Sequence, residues 1–182
     1  MRRIASAGLT ALLLAAAAAW ADDIEVREAV LRRVDDGIAL DADFAFELTP
    51  RLADVVSNGV PLYFRVDFEL TRRRWYWFDQ RAASRGLQLR LSYHALSRQY
   101  RLASGPLQQS FPTLEEALNV LKRVRNWLVI EGAARFDADY EAAVRMRLDT
   151  ALLPKPFQLS ALTARDLHLE SPWKRFVPRP AP

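Results

Sequence analysis

From Ile38 to Leu48 every even position is apolar and most odd positions are acidic: Ile38-Ala39-Leu40-Asp41-Ala42-Asp43-Phe44-Ala45-Phe46-Glu47-Leu48. A side-chain period of two belongs to strands that bury one face and wet the other, which is the pattern of antiparallel sheet. The alternation recurs three times. Phe64, Val66, Phe68 and Leu70 alternate with Tyr63, Arg65, Asp67 and Glu69. Leu87, Leu89, Leu91 and Tyr93 alternate with Gln88, Arg90, Ser92 and His94. Tyr140, Ala142, Val144, Met146 and Leu148 alternate with Glu141, Ala143, Arg145, Arg147 and Asp149. Parallel strands covered on both faces would read as unbroken apolar runs instead.

Turn and helix signals fill the intervals. Asp35-Asp36-Gly37 joins Ile24–Val34 to Ile38–Leu48 as a tight hairpin, with glycine able to take positive φ. Leu96-Ser97-Arg98 folds the 87–95 strand onto Gln99–Ala103. Thr49-Pro50 starts a short helix that Asn58-Gly59 stops. A second helix starts with Thr113 and Glu116 as a capping box, and Leu114, Ala117, Leu118, Leu121 and Val124 form its apolar stripe. The charged side of Glu115 to Arg125 then reads as its solvated face. Trp127–Ile130 reads as a short apolar strand, and Phe157–Leu162 and Leu167–Glu170 as edge strands among prolines. The expected fold is mainly β, an antiparallel β-sandwich (immunoglobulin-like or similar) with two short helices; the alternative is a partly open β-barrel.

Residues 1–21 have the layout of a secretory signal. Arg2 and Arg3 precede an apolar run from Leu9 to Ala19, and Ala19-Trp20-Ala21 offers a small-x-small cleavage site. The expected organisation is a signal peptide at 1–21, one β-rich domain over 22–177 and a disordered tail at 178–182. The expected location is the periplasm, by the general secretory route, with an uncleaved inner-membrane anchor as the alternative. Cleavage removes two arginines and no acid, which lowers the formal charge of +4 by two and leaves little pull on a polyanion. No nucleic-acid partner is expected, and no integral span after cleavage. The absence of cysteine among 182 residues excludes disulfides, thiolate zinc sites and thiol nucleophiles.

The segment Arg72-Arg73-Arg74-Trp75-Tyr76-Trp77-Phe78 is the candidate interaction surface. Continued in phase, the preceding strand would bury Arg72 and Arg74 and expose both tryptophans. Unpaired buried guanidinium groups are costly, so a β-bulge near Thr71–Arg73 is expected to shift the register. The indoles then either complete the core or form an exposed cationic-aromatic lip. The pairs Asp41/Asp43 and Asp67/Glu69 would gather four carboxylates if their strands were neighbours, although Arg65, Arg145 and Arg147 can pair with them across strands. His94 and His168 lie on wet faces without a fixed nucleophile or carboxylate beside them. No nucleophile elbow, phosphate-cradling loop or H-E-x-x-H motif occurs, so no catalytic, cofactor-binding or metal residue is assigned.

Several strings occur together in a set order. They are Pro61-Leu62-Tyr63-Phe64, Phe68-Glu69-Leu70-Thr71-Arg72 and Trp75-Tyr76-Trp77-Phe78-Asp79. Leu91-Ser92-Tyr93-His94-Ala95-Leu96, Arg98-Gln99-Tyr100-Arg101 and Arg145-Met146-Arg147-Leu148-Asp149 follow, then Leu153-Pro154-Lys155-Pro156-Phe157-Gln158 and Trp173-Lys174. This order and spacing resembles the bacterial family named domain of unknown function 4390, across essentially the whole chain after the signal. Arg73 departs from the pattern, which has a proline there. The resemblance implies an exported bacterial protein and no assigned activity.

The expected function is therefore a non-enzymatic interaction or adaptor module of the cell envelope, with an envelope protein or a membrane surface as partner. The alternative is a carrier of small apolar ligands, with a pocket lined by Phe44, Phe46, Phe64 and Phe68. A third reading, a hydrolase or lyase of envelope polymers, needs two carboxylates facing each other across a cleft.

Overall fold

A computed structural model describes residues 24–72, 80–132, 139–161 and 165–179. The expected signal segment and the tip of the C-terminal tail lie outside them. β1 (Glu25–Val34) and β2 (Gly37–Ala45) form the expected hairpin. Gly37 has φ 150°, and a Cβ there would stand 2.1 Å from the carbonyl oxygen of Ile130. Only glycine lets the next strand approach this closely.

α1 (Pro50–Ser57) crosses from this hairpin to a second sheet. Thr49 caps it by accepting from the Leu52 N–H at 3.2 Å, and Pro50 occupies a first-turn position where no N–H is needed. β3 (Leu62–Arg72), β4 (Gln80–His94), β5 (Gln99–Ser104) and β6 (Leu107–Phe111) then run as an antiparallel meander. α2 (Leu114–Leu121) returns the chain to the first sheet, where β7 (Arg123–Glu131) pairs with β2. β8 (Tyr140–Leu148) pairs with β3, and β9 (Lys174–Phe176) with β8. The strand orders are β1-β2-β7 and β6-β5-β4-β3-β8-β9. Two stacked antiparallel sheets without closure make a β-sandwich.

The even-numbered side chains of β2 and β3 face each other across the sandwich, as their alternation requires. Phe64, Val66 and Phe68 of β3 and Leu40 of β2 have no solvent exposure, and they join Leu91, Val144, Met146 and Leu31 in one continuous core. Leu52 and Val56 of α1, with Ala117 and Leu121 of α2, extend it at the helices. Truncating a side chain such as Phe68 to alanine would cost about 3–5 kcal/mol.

Several boundaries differ from expectation. α2 stops at Leu121, and Val124 belongs to β7 rather than to a helical stripe. Its apolar side chain fits either period. Pairing with the free edge of β2 decides for strand, and the Phe44 N–H donates to the Lys122 carbonyl at 2.9 Å where the ladder begins. Arg123 and Arg125 are accordingly strand residues, not a helix face. β4 starts at Gln80, and β6 is an additional strand.

Residues 157–161, expected in an edge strand, belong to a third helix, α3 (Lys155–Ala161). Pro154 and Pro156 serve a helix start, where a missing N–H costs nothing, and Gln158 Nε2 donates back to the carbonyls of Ala151 and Leu153. Residues 167–170 form a 3-10 turn end and a single bridge, Glu170 to Arg147.

The two long sides of the sandwich differ. On one, Lys174 Nζ donates to the carbonyls of Val26 (3.0 Å) and Arg27 (2.7 Å), at the bulge that breaks the β1 ladder. Lys174 thereby ties the second sheet to the edge of the first. On the other side β6 pairs only with β5 and β7 only with β2 among the described residues, and α2 lies between them. There an exposed ion pair from Arg85 of β4 to Glu131 of β7, 2.8 Å, joins the sheets without covering β6.

Candidate interaction surface

Of the cationic-aromatic segment, Arg72 alone lies within the described residues; Arg73, Arg74, Trp75, Tyr76, Trp77 and Phe78 lie outside them. Arg72 pairs in register with Gln80 and with Tyr140. A register shift does fall where one was expected, between Leu70 and Thr71, but the extra residue is Ala82 on β4. Against β8 the ladder of β3 is unbroken through Arg72, so Arg72 keeps the phase of buried Leu70. Its half-buried guanidinium is accommodated by the Tyr140 ring, 5.5 Å from Cζ to the centroid.

The two acidic pairs do not meet. Asp41 and Asp43 lie on β2 and Asp67 and Glu69 on β3, in different sheets and facing outward on opposite sides. Arginines hold each one, as the alternation had indicated for Arg65, Arg145 and Arg147. Asp67 accepts from Arg65 Nε at 2.7 Å, Arg145 Nε at 3.2 Å and Arg147 Nε at 3.4 Å. Burial disfavours its charge, but the donors of Arg65 and Arg147 outweigh that and hold its pKa below the usual carboxylate value. Arg145 continues to Glu170 at 2.8 Å and stacks on Trp173.

On the other sheet Arg32 grips Asp41 with two bonds, 2.7 and 3.2 Å, and the Asn126 N–H adds a third at 2.8 Å. Burial again opposes ionisation there, and Arg32 and Asn126 prevail, so the pKa of Asp41 is lowered. Arg125 holds Asp43 at 2.6 Å and Arg81 holds Glu69 at 3.3 Å. Among the described residues no three acidic or histidine side chains gather at metal-binding spacing. His94 Nδ1 lies 3.0 Å from Ser97 Oγ and accepts from the Ser97 N–H, an arrangement that shapes the β4–β5 turn. His168 is exposed.

The four phenylalanines suggested for a ligand pocket all belong to the continuous core. Phe64 and Phe68 are fully buried and Phe46 stacks on Phe64 at 5.5 Å. Phe44 and Phe46 line an open cleft of about 1010 Å³ together with charged residues of both signs, among them Glu25, Glu28, Lys122 and Arg123. Lys122 Nζ sits 5.3 Å above the Phe46 ring.

The apolar groove lies on the side of β6, α2 and β7. It encloses about 250 Å³ between Leu87 and Leu89 of β4, Leu102 of β5, Leu107 of β6, Val120 of α2 and Val124 of β7. Leu107 is 73% exposed and Val120 39%, so apolar surface is presented to solvent there. Arg123 and Arg125 also border it, and among the described residues no acidic side chain lines the groove. Sequence reasoning missed this site because it passed over β6. The signal was the Gly105-Pro106 turn followed by Leu107, Gln109 and Phe111 at strand spacing.

Together these features define an antiparallel β-sandwich with ion-paired outer faces and one open, apolar side. Residues 21–177 match the family described as Domain of unknown function (DUF4390), and the chain belongs to that family. No curated protein and no solved structure matches it.

Proposed function

We propose that this protein is an exported, non-enzymatic interaction module of the bacterial cell envelope, holding a partner protein at the open side of its sandwich. One observation carries the reading: the β6–α2–β7 side presents Leu107 and Val120 to solvent above an apolar groove, while Lys174 latches the opposite side. Apolar surface maintained beside unpaired strand edges is the physical mark of a contact site. The ion pairs add support, since Asp41, Asp43, Asp67 and Glu69 are each engaged by arginine. The segment Arg72–Phe78, of which only Arg72 lies within the described residues, is the second contact in this reading.

Site-specific photo-crosslinking in the producing cell tests this. A benzophenone side chain at position 107 or 120 is expected to give one discrete protein adduct, absent when the probe replaces Gln88 on the outer face. Equal labelling from all three positions would remove the groove as the contact site. The exported chain is expected to begin at Asp22 by intact mass, and Trp75→Ala with Trp77→Ala to stay folded while weakening the adduct.

A further inference from the structure

We infer that the partner enters as an extended segment, apolar at alternate positions and bearing a carboxylate, that adds as a strand to β6. This rests on the reading of the open side as the contact site and specifies what occupies it. In an antiparallel ladder alternate residues turn their N–H and C=O away from the neighbour they pair with. β6 pairs with β5 from Leu107↔Ser104 to Phe111↔Tyr100 without a register shift, so its outer edge is regular. Natural edges are commonly defended by charge, proline or bulge. Leu107-Gln108-Gln109-Ser110-Phe111 has none of these, and Pro106 and Pro112 bracket it, confining pairing to the five residues between.

A strand added there turns every second side chain toward the groove. A cavity of about 150 Å³ holds a benzene-sized group, so the 250 Å³ here suits one or two apolar side chains, not a folded domain. Main-chain bonds supply the affinity in this mode and the pocket supplies selectivity.

Charge chooses the guest. The rim carries Arg123 and Arg125, of which Arg125 is committed to Asp43 and to the carbonyls of Ala42 and Val124. Arg123 is exposed, borders both the charged cleft and the groove, and makes no ion pair among the described residues, its register partner Asp43 being held by Arg125. This leaves its guanidinium for a guest carboxylate. A second copy of this chain is disfavoured. Twofold pairing of β6 with itself keeps both grooves on one face and sets like-charged rims toward each other.

The test uses the processed protein and two fluorescein-labelled nine-residue peptides. Both alternate valine with threonine; one ends in glutamate and the other in lysine. The glutamate peptide is expected to bind at least tenfold more tightly by anisotropy, with slowed amide exchange at residues 107–111. Arg123→Glu, an exposed change that spares the core, is expected to reverse the preference. Equal binding of both peptides, no binding of either, or an unmoved preference in Arg123→Glu overturns the proposal. A concentration-dependent dimer that buries β6 overturns it too, in favour of self-association. Adducts at positions 107 and 120 without peptide binding would defeat strand addition alone and leave the interaction module standing.

Discussion

A Cβ built on Gly86 would stand 2.8 Å from Nη2 of Arg65 and 3.2 Å from its Cζ. Gly86 is the register partner of Asp67, so the bare backbone opens the space from which Arg65 reaches the Asp67 carboxylate at 2.7 Å. A glycine that weakens its own strand is here a condition of the ion pair next to it. Gly86→Ala is expected to cost about 1 kcal/mol, because the displaced charge-assisted bond outweighs the gain from replacing glycine. In an Arg65→Ala background the sign should reverse, to a gain of about 0.5 kcal/mol. Urea denaturation of the four-member cycle measures this, and equal effects in both backgrounds would refute the coupling.

Asp67 gives the outer face a pH dependence. Its pKa is lowered in the folded chain, so its stabilisation is fully present above the unfolded value near 4 and is lost as pH falls through the folded value. Asp67→Asn should lose about 1.5–3 kcal/mol at pH 7. Against the wild type, that deficit should shrink steadily below pH 4. Denaturation midpoints at pH 7, 4 and 2.5 decide it; a deficit independent of pH would mean that the carboxylate charge contributes nothing.

Lys174 joins the sheets through two carbonyls at a bulge. Lys174→Met keeps the apolar stem and removes the donors, leaving Val26 and Arg27 to water. A loss of about 1–2 kcal/mol is expected. Amide exchange should quicken along residues 25–30 and stay slow in β3. A uniform change across the chain would mean that the latch is not local.

Among the described glycines, Gly37 is the least open to substitution. Its added Cβ would meet the Ile130 carbonyl at 2.1 Å, and its φ of 150° disfavours any other residue. Gly37→Ala should cost at least about 2–3 kcal/mol and lower the Tm by roughly 5–10 °C. Loss of protection should centre on the β2–β7 ladder, since the obstructing atom belongs to that backbone. A near-neutral effect by calorimetry would show that β7 sits further from the turn.

The legible parts of the fold were those where one local rule acts alone. Period-two alternation fixed the buried faces of β2, β3 and β8, and Thr49 and Thr113 marked the starts of α1 and α2 through the donors they cap. Val124 was misassigned because a buried aliphatic residue satisfies either period, and the free edge of β2 broke the tie. Pro154 and Pro156 were misassigned because proline suits both a strand end and a helix start. The groove was hidden for a different reason: Leu107 and Val120 belong to different elements and border one groove only after β6 and α2 have packed.

By itself the sequence determined which side of β2, β3 and β8 faces oil and which faces water, because in a strand without an extra residue that choice depends only on the parity of position. In β1 the bulge after Val26 breaks it, so that Val26 and Leu31 are both buried. The tertiary structure decided which strands became neighbours, separating Asp41 from Asp67 and leaving β6 with a free outer edge. Strand order depends on where connections cross between sheets and on which edge is free to receive them, and parity carries no record of either.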